Sequence, residues 1–559
     1  MALVHLNRPM IPMKTAHHAL LDWAQKTPDR IFLHQPVDGQ LRQTTWSEAA
    51  NNSACIASAL RAFNLQPGDR IAILAKNSAE WILADIAIAM AGFVSVPIYP
   101  TASPETVSHL LSHSGAKLVF VGKLDSPETT MAGLTDAIPR IAFPYSEIAH
   151  CQYGWQDLID DNEPLSQVAN PDPEDTMTIL YTSGSTGVPK GVVISFSAYQ
   201  YASHAAAETA NMSSDDHVLS YLPLAHITER TCTAGPAIYC GAECSFVESL
   251  QAFRHDLKRA APTVFISVPR LWVKFQSGVH ANISPRKLRL LLSIPILGSV
   301  VAKKIRGELG FGNCRQYGSG SAPISPSTLR WYYKLGVNIG EGWGMSETSG
   351  LSCGNSPFDA QKLGTIGSPV SGTEMKLSEE GEILIRSPGL FTEYYKNPDL
   401  TANVFTNDGF FHTGDKAIWD ESLKAFTITG RVKDIFKSAK GKYVTPVPIE
   451  SKLSSNSYIE QVCVMGAGLP APIAVVVLTD AAGTLDKVEI RKSFKTTLDQ
   501  VNATLESHEK LSNVVIADEG WTIENDLLTP TLKVKRDKLE EKYNAVIAQT
   551  FSDAIAWES

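Results

Sequence analysis

The eleven residues Tyr181-Thr-Ser-Gly-Ser-Thr-Gly-Val-Pro-Lys-Gly191 concentrate three glycines, two serines, two threonines and one lysine. Glycines let backbone N–H groups turn toward an anion, hydroxyls add donors, and a lysine adds a mobile positive charge. That is the chemistry of a polyphosphate cradle. The general P-loop pattern, G-x-x-x-x-G-K-[ST], does not fit: Pro189 stands where its second glycine belongs and Gly191 where Ser or Thr belongs. A P-loop also feeds a helix, whereas a β-branched run, 192–194, follows Lys190. With the apolar run 177–180 before it, the loop is predicted to join two strands.

The elements around the loop follow from hydrophobic patterning. Helical stretches (44–63, 78–91) alternate with short apolar runs (70–74, 94–98, 117–121), which predicts β/α units around a mostly parallel sheet. Residues 171–355 continue this texture. Short strands at 382–386, 416–419 and 425–428 then predict a β-rich subdomain over about 356–430. Beyond Arg431 the chain turns rich in Lys and Glu, with one strong apolar strand at 473–478. The fold class is therefore α/β: a large N-terminal domain, 1–430, with a small α+β C-terminal domain, 431–559. The boundary is expected at 431–434.

A chain of 559 residues is too long for one core. At 44% hydrophobic and 19% charged residues, disorder is excluded; a net charge of −9 argues against nucleic acid, because no basic surplus neutralises phosphates. The cysteines at 55, 151, 232, 240, 244, 314, 353 and 463 form no zinc pattern and read as reduced thiols in a cytoplasmic protein. The first residues lack a signal-peptide core, and no apolar run reaches the roughly 20 residues of a bilayer span.

Five further segments follow the glycine-rich loop in a set order. They are Tyr317-Gly-Ser-Gly-Ser-Ala-Pro323, Gly340-Glu-Gly-Trp-Gly-Met-Ser-Glu-Thr348, Phe411-His-Thr-Gly-Asp415, Ile428-Thr-Gly-Arg-Val-Lys-Asp434 and Leu528-Thr-Pro-Thr-Leu-Lys533. With them the chain resembles, over essentially its full length, the adenylate-forming superfamily of acyl-CoA synthetases, luciferases and peptide-synthetase adenylation domains. Three segments lean toward long-chain fatty acyl-CoA synthetases: Tyr221-Leu-Pro-Leu-Ala-His-Ile-Thr-Glu-Arg230, Val268-Pro-Arg-Leu-Trp272 and the 528–536 stretch. Trp343-Gly-Met-Ser-Glu-Thr348 is most similar to the bubblegum branch; Ser346 keeps the hydroxyl of the Thr that many relatives carry.

The resemblance implies that ATP activates a fatty acid as acyl-AMP and that CoA then displaces AMP. Such substitution at phosphorus depends mostly on positioning and charge neutralisation. Thr182, Ser183, Gly184, Ser185, Thr186, Gly187 and Lys190 would wrap the β- and γ-phosphates, and Thr186 with Glu347 would hold Mg²⁺, a hard cation that prefers oxygen ligands. Asp415 would accept both ribose hydroxyls, and Arg431 would bind the ribose or a phosphate. Trp343, with Gly344, Met345 and Ser346, offers a face for adenine. Gly318, Ser319, Gly320, Ser321 and Ala322 allow close backbone approach on the other side.

Lys533 would act in adenylation, meeting the carboxylate and α-phosphate oxygens where negative charge gathers. Its C-terminal domain would be mobile, with Lys433 at the hinge and Gly441 on the loop that approaches the thiol tunnel. Ala439-Lys440 replaces the Gly-Gly of many relatives in that loop. His226 resembles the histidine of the acyl tunnel, although a lone histidine in an apolar segment also suits a satisfied core residue. Trp272 reads as packing.

Residues 284–310 carry Arg286, Lys287 and Arg289, an apolar middle, then Lys303, Lys304 and Arg306. Two readings stay open: peripheral contact with an anionic membrane, or a packed helical pair with solvated ends. A homodimer is also left open. The leading functional reading is a long-chain fatty acid–CoA ligase. Its alternatives are a fatty acyl-AMP ligase that loads a carrier protein and a non-catalytic acyl- or nucleotide-binding protein, which would be expected to lack Glu347, Asp415 or Lys533.

Overall fold

Capping signals and apolar runs alternate through the first part of the chain, and each becomes an element. In the computed structural model, which describes residues 13–145, 148, 150–182, 189–529, 532–547 and 553–559, helix Trp46–Ala62 starts at a capping box. There the Thr45 side chain accepts from the Glu48 N–H while Glu48 reaches back to the Thr45 N–H. Helix Ala79–Ala91 starts at Ser78 and stops at Gly92 in the left-handed region, φ 88°. Every residue of that helix is buried, as expected of a helix apolar nearly all round, and its two acids, Glu80 and Asp85, are ion-paired with Arg42 and Arg230.

These helices cover a mostly parallel eight-stranded sheet, in the order Glu393–Tyr394, Lys190–Ser195, Thr176–Thr182, Val94–Ile98, Arg70–Ala75, Leu118–Gly122, Arg140–Ala142 and Tyr153–Gly154. A nine-stranded sheet contains, as successive neighbours, Gly350–Gly354, Ile339–Met345, Gln316–Ser319, Val264–Ser267 and His217–Ser220. The strands predicted at 94–98, 382–386 and 473–478 have those bounds. The expected β-rich segment is a four-stranded antiparallel sheet of Glu374–Leu377, Glu382–Arg386, Phe411–Asp420 and Ala425–Arg431.

The C-terminal residues build their own α+β layer. Strands Ile459–Met465, Ile473–Leu478, Asn513–Ile516 and Ile555–Trp557 form one sheet, covered by helices Lys487–Asn502 and Arg536–Ile547. Alternation splits its residues between two cores. Ala474 and Val476 pack with Phe494 and Leu498, while Val475 and Val477 pack with Trp521 and Tyr543.

Candidate active site

Strands Thr176–Thr182 and Lys190–Ser195 pair antiparallel, with Thr182 opposite Lys190, so Lys190 opens a strand rather than a helix. Ser183, Gly184, Ser185, Thr186 and Gly187 lie outside the described residues. The Lys190 ammonium sits 5.5 Å from the centroid of the Tyr394 ring. The Tyr394 hydroxyl in turn donates to Glu347 Oε1 at 2.9 Å. Glu347 occupies the short turn Ser346–Thr348, where burial raises its pKa while Lys190 and Arg431 oppose that shift. A desolvated carboxylate is a site that a cation would stabilise.

Asp415 and Arg431 are direct partners across strands Phe411–Asp420 and Ala425–Arg431. Arg431 Nε donates to Asp415 Oδ1 at 2.9 Å, and Trp343 Nε1 donates to Asp415 Oδ2 at 2.8 Å. Asp415 is buried, while the Arg431 side chain is 55% exposed and open to a ligand. Each carboxylate oxygen thus has one protein donor and capacity for another, which a vicinal diol can use.

Trp343 also borders a cleft of about 750 Å³ of space open to solvent, together with Gly318, Ser319, Gly320, Ser321 and Gly344. Ser321 holds a left-handed backbone, φ 68°. Glycine alternates along strand Ile339–Met345 because the neighbouring strand leaves no room. A Cβ at Gly344 would lie 1.6 Å from the Gly350 carbonyl oxygen, and one at Gly342 would lie 2.7 Å from Leu351 Cδ1. The helical border of the cleft is also small: Ala206, Thr209 and Ala210. Ala322 is exposed, whereas Ser346 is buried and Met345 packs against the main core.

Lys533 enters from the C-terminal layer at the end of a tight loop, where the Lys533 N–H donates to Thr529 Oγ1 at 3.0 Å. It is close enough to Arg431, Asp415 and Glu347 for their charges to act on it. Burial lowers its pKa and Arg431 adds to the shift, while Asp415 and Glu347 oppose it. Burial and Lys533 push His226 down to about 3, so its ring is neutral at neutral pH. His226 Nδ1 accepts the Thr228 N–H at 3.2 Å, which leaves the ring proton on Nε2.

The turn after His226 is fixed by a buried ion pair: Arg230 donates to both Asp85 oxygens (2.8 and 2.6 Å) and to Thr178 Oγ1 at 2.7 Å. Trp272 is fully buried in the core beside strand Val264–Ser267. The C-terminal layer is tied to the rest by Arg270, whose Nε donates to Glu460 Oε1 at 3.1 Å. Lys433 and Gly441 are both exposed, Gly441 at φ 74° in the hairpin of Phe436–Lys437 and Tyr443–Val444, and neither borders the cleft.

Sequence reasoning missed Tyr394 and the cleft-lining Thr228 and Cys232. None sits at a spacing that marks chemistry; the pairing of strand Glu393–Tyr394 with Lys190–Ser195, together with the Phe391 N–H that donates to the Glu347 carbonyl at 2.8 Å, brings Tyr394 to Glu347.

Residues 20–395 match the AMP-binding enzyme family, and residues 433–554 match the AMP-binding enzyme C-terminal domain. The chain is 30% identical to long-chain-fatty-acid–CoA ligase FadD15 of Mycobacterium bovis, over 94% of this chain and 95% of that protein. It is 29% identical to the peroxisomal long chain acyl-CoA synthetase 6 of Arabidopsis thaliana, over 92% and 82% of the two chains. Among solved structures, it shares the fold of anthranilate CoA ligase AuaEII in complex with anthranoyl-AMP, with a TM-score of 0.81 at 21% identity over 96% and 99% of the chains. From the ordered segments, the two-part fold and these matches, the chain belongs to the AMP-binding enzyme family.

Proposed function

We propose that this protein is an ATP-dependent ligase that activates a long-chain fatty acid as acyl-AMP and passes it to CoA. The carboxylate oxygen attacks the α-phosphorus and pyrophosphate leaves; the CoA sulfur then attacks the acyl carbon and AMP leaves. The observation that carries this reading is the Asp415 carboxylate held by Arg431 and Trp343, with Lys533 of the C-terminal layer near enough for its charge to be felt there. A cation so placed meets the negative charge that develops as carboxylate and phosphate converge. Asp415 accepts the ribose hydroxyls while Arg431 and Trp343 hold its carboxylate in place. Trp343 and the 318–322 segment flank the adenine, and His226, neutral with its proton on Nε2, orients the carboxylate of the acyl group. Residues 1–430 and 431–559 act as two domains that pivot at 431–434, a reading supported by their separate cores. Cysteines that form no disulfide suit a cytoplasmic enzyme; among the described residues no helix is long and apolar enough to cross a membrane.

Pyrophosphate release measured across fatty acids of increasing length, with and without CoA, tests the assignment. Release should require the fatty acid, and acyl-CoA and AMP should form together once CoA is added. Acyl-AMP that accumulates with CoA present but is discharged by a carrier protein would instead identify an acyl-AMP ligase. No release with any fatty acid would leave a binding protein.

Glu347 and Thr186 would hold Mg²⁺, which when bound neutralises charge on the phosphate oxygens. The buried Glu347 carboxylate, bonded to Tyr394, fits this role. Glu347→Gln keeps the shape and removes the charge. It should raise the Mg²⁺ concentration needed for half-maximal pyrophosphate release by at least the roughly 10–100-fold that loss of an outer partner costs a metal site. A Mg²⁺ dependence identical to that of the native enzyme would remove Glu347 from the metal site.

A further inference from the structure

Helices Pro285–Ser293 and Pro295–Glu308 form a hairpin with its apolar residues on the wrong side for a core. Leu290, Ile294, Ile296, Leu297 and Val300 are 65, 44, 84, 42 and 59% exposed. In the second helix Ile296 and Val300, four apart, share one face, and Gly298 and Ala302, also four apart, lie buried on the opposite one. The hairpin is nevertheless well seated. A Cβ at Gly298 would lie 2.7 Å from the Leu292 carbonyl oxygen, so the helices touch through backbone, and Leu292 and Ile305 pack on the core around Trp272.

Charge identifies what this face fits. Arg286, Lys287, Arg289, Lys303 and Lys304 are all exposed beside the apolar residues, and no acidic residue occurs between Pro285 and Gly307. In a chain of net charge −9 this is a local reversal of sign. A protein partner would be met by an apolar patch with a mixed polar rim. An apolar ridge with a basic margin, whose one acidic residue, Glu308 at the end of the second helix, is paired with Lys258, instead matches the headgroup region of an anionic bilayer, where side chains sink to the acyl boundary and cations meet lipid phosphates.

We propose that the hairpin of residues 285–308 is a docking surface for anionic lipid membranes, with Ile296 and its apolar neighbours inserted and the flanking Arg and Lys residues on the headgroups. The contact lies on the surface, without a spanning helix. It is read without turnover, so it stands or falls separately from the ligase assignment.

Flotation of the full chain with phosphatidylglycerol-containing vesicles and with pure phosphatidylcholine vesicles tests the proposal. Binding should be strong to the first, weak to the second, and reduced by salt. Ile296→Asp should weaken it at least about tenfold, because a buried isoleucine is exchanged for a charge of the membrane's own sign. Lys303→Ala and Lys304→Ala should each weaken it about fivefold. Both kinds of change fall on exposed positions, and an unchanged melting temperature would show that each variant is folded. Equal binding to both vesicle types, or folded variants that float like the native chain, would overturn the proposal. So would sedimentation velocity showing a dimer that Ile296→Asp dissociates while vesicle binding persists, because the face would then join two copies.

Discussion

Lys533→Ala is expected to slow acyl-adenylate formation on the order of 10²–10³-fold while leaving thioester formation from supplied acyl-AMP far less affected. Burial lowers the lysine's pKa, and the charges of Asp415, Glu347 and Arg431 act on it; in the proposed reading its own charge serves where the carboxylate meets the α-phosphate and plays no part once AMP departs. Pyrophosphate release measures the first step, and acyl-CoA formed from synthetic acyl-AMP measures the second. Equal loss in both would sink the assignment. Burial lowers the Lys533 pKa, so the protonated form is lost at lower pH than for an exposed lysine. The alkaline limb of adenylation should therefore fall below the ordinary lysine range and move upward in Lys533→Arg.

Lys433→Pro should separate the two half-reactions in the other direction. In the proposed two-step reading, the arrangement with Lys533 near the N-terminal residues and Arg270 paired to Glu460 serves adenylation, and exposed Gly441 does not border the cleft. Proline fixes φ near −65°, about the usual value for its ring, and stiffens the pivot that must turn to bring Gly441 to the thiol. A burst of pyrophosphate should persist, while acyl-CoA production should fall roughly 10²-fold, the scale of cost for misplaced reacting groups. Normal steady-state acyl-CoA synthesis by this variant would mean that Lys433 is not the pivot, or that one pose serves both reactions.

Elements whose signal is local were legible before the fold was known. Val94–Ile98 and Ile473–Leu478 announce themselves as short apolar runs, and helix Trp46–Ala62 lies within the helical stretch read over 44–63. The two-residue strand Glu393–Tyr394 carries no such signal; its pairing with Lys190–Ser195 is decided by tertiary contact. The site divides in the same way. Asp415, Trp343 and Arg431 were each recognisable by type and motif. That the Trp343 indole N–H serves Asp415, 72 positions along the chain, depends on how two sheets meet. The exposure of Ile296 likewise had no sequence signature, because an apolar residue reads the same whether a core covers it or not.

The alternating glycines of Ile339–Met345 make mutational access to the cleft one-sided. Where Gly350 and Leu351 crowd the strand, its contour is main chain, and a bulkier residue there forces the backbone to move before it can reshape the space available to a ligand. At the helical border, by contrast, Ala206, Thr209 and Ala210 can grow or shrink by single side-chain steps, so the cleft can be reshaped there without moving main chain. Variation in this cleft can accumulate along one wall while the other keeps its contour.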